Sequence, residues 1–281
     1  YVISDVLNKS IPFMMIPILT RYLTPDDYGL VSIFIVIVSI FSIFTGLNIH
    51  GAINVNFFKM NKEVLKNFIG NCIIILNVST LIIIFIAILT YLFFSENFYL
   101  SLDLIILAIF LAFSQFLTTI NLLLWIAEER PKEYGIYQIM QTLFITGLTI
   151  IFIIGFGMKW EGQILAMSIG TFTFSTLSIF FVIRRGYFIF KPNIYHIKDA
   201  LKFGIPLIPH TLSGLAKNGA DRLIIMSLLG ATITGIYSVG YQIAMVIGVL
   251  ATAFNKAWSP YLFKVLSSEP TYDEKLNIVK F

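Results

Sequence analysis

Residues 203–230, FGIPLIPHTLSGLAKNGADRLIIMSLLG, begin like a membrane span and are then interrupted by charge. Lys217, Asp221 and Arg222 follow only 14 uncharged residues, 203–216, whereas a helix that crosses a bilayer needs about 17–25 apolar residues. A charge near the bilayer centre costs roughly 2.5–3.5 kcal/mol on insertion scales. These side chains are therefore predicted to face protein or a water-filled cavity, and such charges indicate a functional site.

The composition places this stretch in a membrane protein. Hydrophobic residues make up 58% of the 281 residues and charged residues only 12%, about half of what soluble domains carry. Six uncharged runs are each long enough to cross a bilayer as a helix. The two charge-bearing stretches, 2–23 and 203–230, are counted as two further spans. The sequence thus predicts an all-α polytopic membrane protein with eight transmembrane helices, the uncharged runs being 28–58, 67–95, 104–127, 134–158, 162–183 and 223–255.

The distribution of charge predicts an orientation in the membrane. If the connections alternate between two sides, ten positive residues fall on one side, and the positive-inside rule makes that side cytoplasmic. Both ends of the chain are then cytoplasmic too, and the net charge of +4 gives no reason to expect a nucleic-acid partner. The ten residues are Lys59, Lys62, Lys66, Arg130, Lys132, Arg184, Arg185, Lys191, Lys198 and Lys202. Residues 54–68, which carry the first lysines of this set, are predicted to form an amphipathic helix on the cytoplasmic interface.

A faint internal repeat has an offset of 206 residues. It aligns LTPDDYGLVS (23–32) with LGATITGIYS (229–238), matching Gly29 with Gly235 and Ser32 with Ser238. Each copy follows a span that carries two prolines and a charge pair at four-residue spacing. Paired, proline-interrupted spans in matching positions of two halves point to a transporter's binding site. Spans one and seven are therefore predicted to be equivalent and to meet between two lobes.

These equivalences divide the chain into three segments. We expect an N-terminal six-helix lobe over residues 1–183, a basic cytoplasmic linker over 184–202, and the first two helices of a second lobe over 203–281. The chain starts at Tyr1 and stops inside the charged segment 273–280, so both ends are expected to be cut from a longer protein. In the turn between the first two spans, Thr24 and Pro25 are predicted to be the N-cap and first residue of a helix.

Several of these motifs resemble those of one known family. PILTRYLTPDDYG (17–29) is similar to the first-loop signature of bacterial polysaccharide flippases, which belong to the MATE-like superfamily. FGIP (203–206), Asp221-Arg222, GIYSVGYQ (235–242) and WSP (258–260) resemble the matching signature of the second half. The resemblance covers nearly the whole chain and implies 12–14 helices in two lobes, with alternating access around a cationic cavity. It also implies residence in the bacterial cytoplasmic (inner) membrane, and a cargo of undecaprenyl-pyrophosphate-linked oligosaccharide for O-antigen, capsule or exopolysaccharide assembly.

The candidate site residues come mainly from spans one and seven. A diphosphate needs cations, and the candidates are Lys9, Arg21, Lys217 and Arg222. Asp5 and Asp221 would hold the lysines in place, or titrate if transport is coupled to protons or sodium. Each has a simpler interpretation: the pairs Asp5/Lys9 and Lys217/Asp221 as structural ion pairs, and Arg21 as a snorkelling side chain at lipid headgroups.

Three further residues complete the hypothesis. His210 lies in mid-span and is interpreted either as a hydrogen-bonded packing residue or as a proton relay. Tyr237 and Tyr241 are four residues apart on one helix face and serve either to pack helices or to stack on sugar rings. No resident cofactor and no metal site is expected, because the sequence contains no Gly-rich phosphate loop and no His/Cys ligand spacing, and Cys72 is its only cysteine.

Two rival functions remain open on the sequence alone. A MATE-type drug or cation antiporter would share fold and repeat, although its cargo is disfavoured by a cavity of net positive charge. A membrane-embedded glycan polymerase or ligase would need a sizeable external loop with catalytic groups, and every external connection here is short, so an enzyme is not expected. The bilayer and the glycan are the expected partners, with other polysaccharide assembly proteins as additional ones.

Overall fold

A computed structural model describes the chain over residues 2–94 and 100–267. Within these ranges, side chains are described for all residues except 2, 3, 5, 9, 246, 249, 250 and 252–267. The described chain is almost entirely helical and contains no strand. Its helices are α1 (Val2–Leu19), α2 (Pro25–Gly46), α3 (His50–Phe57), α4 (Lys62–Phe94), α5 (Leu102–Ala127), α6 (Pro131–Ile150), α7 (Trp160–Arg184), α8 (Ile194–Gly204) and α9 (Ile208–Ser267). A π-helical turn, Ile151–Gly155, extends α6.

The long apolar helices confirm the predicted class, an all-α multi-pass membrane protein. Six helices in the described ranges are long and apolar enough to cross a membrane. The predicted count of eight spans differs in two places. The last two predicted spans are two helices that meet at a kink at Gly230, a residue with φ of +80°, and both are included in the label α9. The first predicted span contains a shorter apolar helix, Val6–Leu19.

The predicted interfacial helix over residues 54–68 is wrong. The chain leaves helical geometry after Phe57, and α4 begins at Lys62 and runs without interruption to Phe94. Asn61 causes the new start, because its side-chain Oδ1 accepts a hydrogen bond of 2.9 Å from the amide of Val64. Asparagine is a favoured N-cap. Lys62 and Lys66 therefore belong to the first turns of a membrane helix and not to a separate interfacial helix.

The basic connection after α7 is held against the first helices. Asn71 of α4 donates to the carbonyl of Lys191 at 3.0 Å and accepts from the amide of Asn193 at 2.8 Å. Asn193 then caps α8 through the amide of Tyr195, and α8 packs on α3 and α4. The segment predicted as a linker therefore contains a short helix docked on the bundle.

The most extensive helix contact joins α2 to α9, and its closest approaches lie in the part of α9 that follows Gly230. Gly29 packs against the carbonyl of Ala231, and Gly235 packs against the carbonyl of Pro25; a Cβ at either glycine would overlap that oxygen. The hydroxyl of Ser238 donates to that of Ser32 at 2.8 Å. Residues 206 apart in the sequence thus touch in space. Spans two and eight, more than spans one and seven, make this contact, while α1 packs mainly on α6.

The N-terminus of α2 has the predicted cap. Thr24 is its N-cap and Pro25 its first residue, and a capping box links Thr24 with Asp27. The Asp27 carboxylate accepts from the Thr24 amide at 2.8 Å, and the Asp27 amide donates to the Thr24 hydroxyl at 3.2 Å. The box fixes the start of the helix that carries Gly29 and Ser32.

Thr24→Ala is expected to destabilise the protein by about 0.5–2 kcal/mol, because the substitution removes an N-cap bond. The measurement is the thermal midpoint of the complete protein in detergent. Ser101→Ala is the matched control, since Ser101 is the N-cap of α5 but makes no side-chain cap bond. Equal effects of the two substitutions would contradict the role given to the capping box.

Candidate functional site

A cavity of about 430 Å3 lies between α1, α2, α6, α7 and α9. Its walls are partly apolar, including Met15, Ile16 and Leu19 of α1. The polar wall comes from four different helices, and its members include Tyr28, Thr146, Gln163, Arg222 and Gln242. The cavity therefore combines a hydrocarbon face with hydrogen-bonding groups, as small-molecule sites commonly do.

Three polar atoms at this cavity are buried and have no hydrogen-bond partner among the residues that the structure describes. They are Oη of Tyr28, Oε1 of Gln163 and Nε of Arg222, and all three residues line the cavity. An unsatisfied buried polar group costs about 1–3 kcal/mol, and more when it is charged. Water or a ligand in the cavity would supply the missing partners, so the space is suited to a polar occupant.

Arg222 is positioned by an aromatic ring. Its guanidinium carbon lies 4.8 Å from the ring centroid of Tyr241, which is within cation–π range. The neighbouring carboxylate is engaged elsewhere: Asp221 accepts a 2.8 Å bond from the Arg222 amide and another from the hydroxyl of Tyr237. Among the described residues Arg222 forms no ion pair, which leaves its charge available to a ligand.

Arg222 also sets the electrostatic character of the cavity. Of the described residues that line it, Arg222 is the one with an ionised side chain. Arg222 is half-buried, and a charge that is withdrawn from water is costly unless it is paired, so an anion is its natural counter-charge. Within the described ranges, no group of three His, Cys, Asp or Glu side chains is arranged to hold a metal ion.

The other predicted cations are placed differently. Lys217 and Arg21 are exposed, and neither lines the cavity. The predicted pair Lys217/Asp221 forms no ion pair among the described side chains, because Asp221 is bonded to Tyr237 and to backbone instead. His210 is exposed. The side chains of Asp5 and Lys9 lie outside the described residues.

The structure brings together four of the predicted site residues. Asp221, Arg222, Tyr237 and Tyr241 form one cluster across the bend of α9, with the two tyrosine rings 6.1 Å apart. Both tyrosines therefore have an internal role as partners of the charged pair, which the sequence-based interpretation did not anticipate.

The polar wall on α6 was missed by sequence reasoning. Thr142, Thr146 and Thr149 all line the cavity, and their spacing of four and three residues puts them on one helix face. That spacing is readable in the sequence, but threonines inside a membrane helix commonly bond to their own backbone, as Thr149 does to the carbonyl of Ile145. Only the position of the cavity distinguishes this face from any other.

Comparison with known proteins places the chain in a family. Residues 1–266 match the family described as polysaccharide biosynthesis protein. The Lsg locus protein 1 of Haemophilus influenzae is 26% identical over 99% of this chain and 68% of its own length. The capsular polysaccharide biosynthesis protein CapF of Staphylococcus aureus is 25% identical over 98% of this chain and 67% of its own length.

A solved structure shares the fold. It shows the outward-facing conformation of a multidrug resistance MATE family transporter of the MOP superfamily, with a TM-score of 0.56 and 18% identity. The match covers 90% of this chain but 61% of that transporter, and the chain spans about two thirds of the curated relatives as well. The family match, which extends over nearly all of the chain, shows that this multi-pass membrane protein with a MATE-like fold belongs to the polysaccharide biosynthesis protein family.

Proposed function

We propose that the complete protein is a flippase that moves oligosaccharide repeat units, linked to undecaprenyl diphosphate, across the bacterial cytoplasmic membrane. The observation that carries the proposal is the guanidinium of Arg222, which forms no ion pair among the described residues and lies at a cavity whose other described polar groups are neutral. Membership of the polysaccharide biosynthesis family supports the cargo class, and the MATE-like fold supports movement by alternating access.

Each part of the cargo has a matching group in the cavity. A diphosphate is bound most strongly by charge-assisted hydrogen bonds, which Arg222 offers through its free Nε. Sugar hydroxyls both donate and accept, and Tyr28, Gln163 and Thr146 present the complementary polar atoms. The apolar wall of α1 is suited to the start of the polyprenyl chain. The volume of about 430 Å3 is that of a small-molecule site, so the cavity holds the part of the cargo around the diphosphate and not the whole lipid-linked oligosaccharide.

In this proposal the basic connections face the cytoplasm, as the positive-inside rule predicts. No covalent step and no resident cofactor is involved; coupling to protons or sodium is part of the proposal. Other proteins of polysaccharide assembly are proposed as partners of the complete transporter.

A MATE-type exporter of cationic drugs is the second candidate, favoured by the fold likeness alone. A cationic cargo would lie beside the unpaired Arg222 with no described carboxylate on the cavity wall to balance it. Like charges in a low-dielectric cavity repel strongly, so the anionic cargo fits the described cavity better.

A transport assay in liposomes distinguishes the two candidates. The complete protein is reconstituted, and the movement of a fluorescent polyprenyl-diphosphate oligosaccharide is compared with the uptake of ethidium, a cationic drug. We expect the lipid-linked glycan to cross and ethidium not to cross. Ethidium transport without glycan movement would overturn the proposal.

A further inference from the structure

A second opening lies apart from the central cavity, at the end of the bundle where α5 ends and α6 begins. This opening, the arginine groove, has a volume of about 610 Å3 and runs between α6 and α7. Its floor is an aromatic cluster in which ring centroids lie 5.2–5.6 Å from that of Trp125 or Tyr137. The floor residues are Trp125, Tyr137, Phe174 and Phe181.

The sides of the arginine groove are apolar and open. Ile136, Met140 and Leu177 line it and are 64%, 55% and 40% exposed. They belong to α6 and α7, both of which are long and apolar enough to cross the membrane, and exposed apolar side chains on such helices are suited to contact with hydrocarbon. An apolar groove at this depth is filled by lipid tails, because water there would lose its hydrogen bonds and an empty groove would lose dispersion contacts.

One end of the groove is cationic. Its lining includes three arginines but only one carboxylate, that of Glu133. Nε of Arg130 donates to Glu133 at 2.8 Å, and Arg185 donates to Glu128 at 2.9 Å while stacking over Trp125 at 5.0 Å. These pairs fix two guanidinium groups in place.

The third arginine supplies the surplus charge. Arg184 is exposed and takes part in no ion pair among the described residues. The N-terminus of α6 lies at the same end as the C-termini of α5 and α7. Their helix dipoles oppose one another, so the surplus charge is that of Arg184. The guanidinium group of arginine is planar and always charged, and it can donate two parallel hydrogen bonds to a phosphate.

We infer that the arginine groove is a binding site for an anionic phospholipid of the surrounding bilayer. The phosphate lies at the cationic end, against Arg184 and the two fixed arginines. The acyl chains follow Ile136, Met140 and Leu177 down to the aromatic floor. The cationic end and the apolar groove together favour a lipid over a soluble anion. A soluble anion would gain nothing from contact with the apolar side chains.

The test measures which lipid the protein retains. The complete protein is reconstituted in nanodiscs that contain equal amounts of phosphatidylglycerol and phosphatidylcholine. It is then transferred to detergent, and native mass spectrometry identifies the lipids that remain bound. We expect phosphatidylglycerol to be retained preferentially. Arg184→Gln is expected to reduce that preference about tenfold, as the loss of a charge-assisted bond predicts, and Arg184→Lys to keep most of it.

Two control variants distinguish lipid binding in the groove from a general effect of the protein's charge. Lys198→Gln removes the same charge from an exposed position on α8 outside the groove, and we expect it to leave the preference unchanged. Met140→Trp fills the groove from an exposed position, and we expect it to lower retention of both lipids. Equal retention of the two lipids by the unmodified protein would overturn the inference. An unchanged preference in Arg184→Gln, or equal thermal stabilisation by inorganic phosphate, would overturn it too.

Discussion

Gly235→Ala is expected to lower the stability of the protein by about 1–3 kcal/mol, the typical cost of overpacking. The added methyl group would overlap the carbonyl oxygen of Pro25 on α2, and a backbone atom inside a helix cannot move aside as a flexible side chain can. The contact between α2 and α9 would have to open to relieve the overlap. The measurement is the thermal midpoint of the complete protein in detergent, together with transport in liposomes.

The same helix contains the control. Gly240 lies five residues further along α9, where a Cβ would meet no atom within 4 Å. Gly240→Ala is expected to leave stability unchanged or raise it by up to about 1 kcal/mol, since alanine favours the helix over glycine. The two substitutions thus differ in the sign of their effect. Helix propensity alone would raise stability in both variants. A loss of stability in both would show that any added side chain disturbs this helix, and the close approach to Pro25 would then not be the cause.

Arg222→Gln is expected to have the largest effect on transport. The substitution keeps a polar side chain, although a shorter one, and removes the charge at the cavity. Loss of a charged hydrogen bond of about 1.5–3 kcal/mol corresponds to a fall of about tenfold or more in the rate of glycan movement. Arg222→Lys is expected to retain part of the activity, because the charge remains while the fixed fork geometry is lost.

Lys217→Gln is the matched control for this prediction. It removes one positive charge from the same helix, five residues earlier, at an exposed position that does not line the cavity. We expect its transport rate to stay close to that of the unmodified protein. Equal losses in Lys217→Gln and Arg222→Gln would mean that the charge of α9 as a whole, not the cavity, governs transport.

The long apolar spans, the cap at Thr24 and the offset of 206 residues were readable from the sequence, whereas the start of α4 at Lys62 and the short helix α8 were not. The readable features follow from local rules: uncharged runs of bilayer length, a Thr-Pro helix start, and glycines and serines recurring at a fixed separation. The spans that cross the bilayer are the most local part of the fold, since each forms its own backbone hydrogen bonds.

Contacts between distant residues were not readable. Lys217 and Arg222 are equally strong candidates in the sequence, because both interrupt the same apolar stretch, and only the packing of α9 against α2 decides which of them lines the cavity. Asp221 was expected to pair with the lysine four residues before it. Its actual partner, Tyr237, is brought back by the bend at Gly230, a tertiary event that no local spacing encodes.

The contact between α2 and α9 has the form of an interface between two copies of one chain. The carbonyl of Pro25 meets Gly235, and the carbonyl of Ala231 meets Gly29; subtracting 206 from the α9 residues exchanges these two contacts. Such reciprocity defines the isologous interface of a twofold dimer. A six-helix ancestor that paired with itself through this glycine would have needed only gene fusion to give the present arrangement. The symmetry is incomplete in its side chains, since Asp26 on one side faces Thr232 on the other.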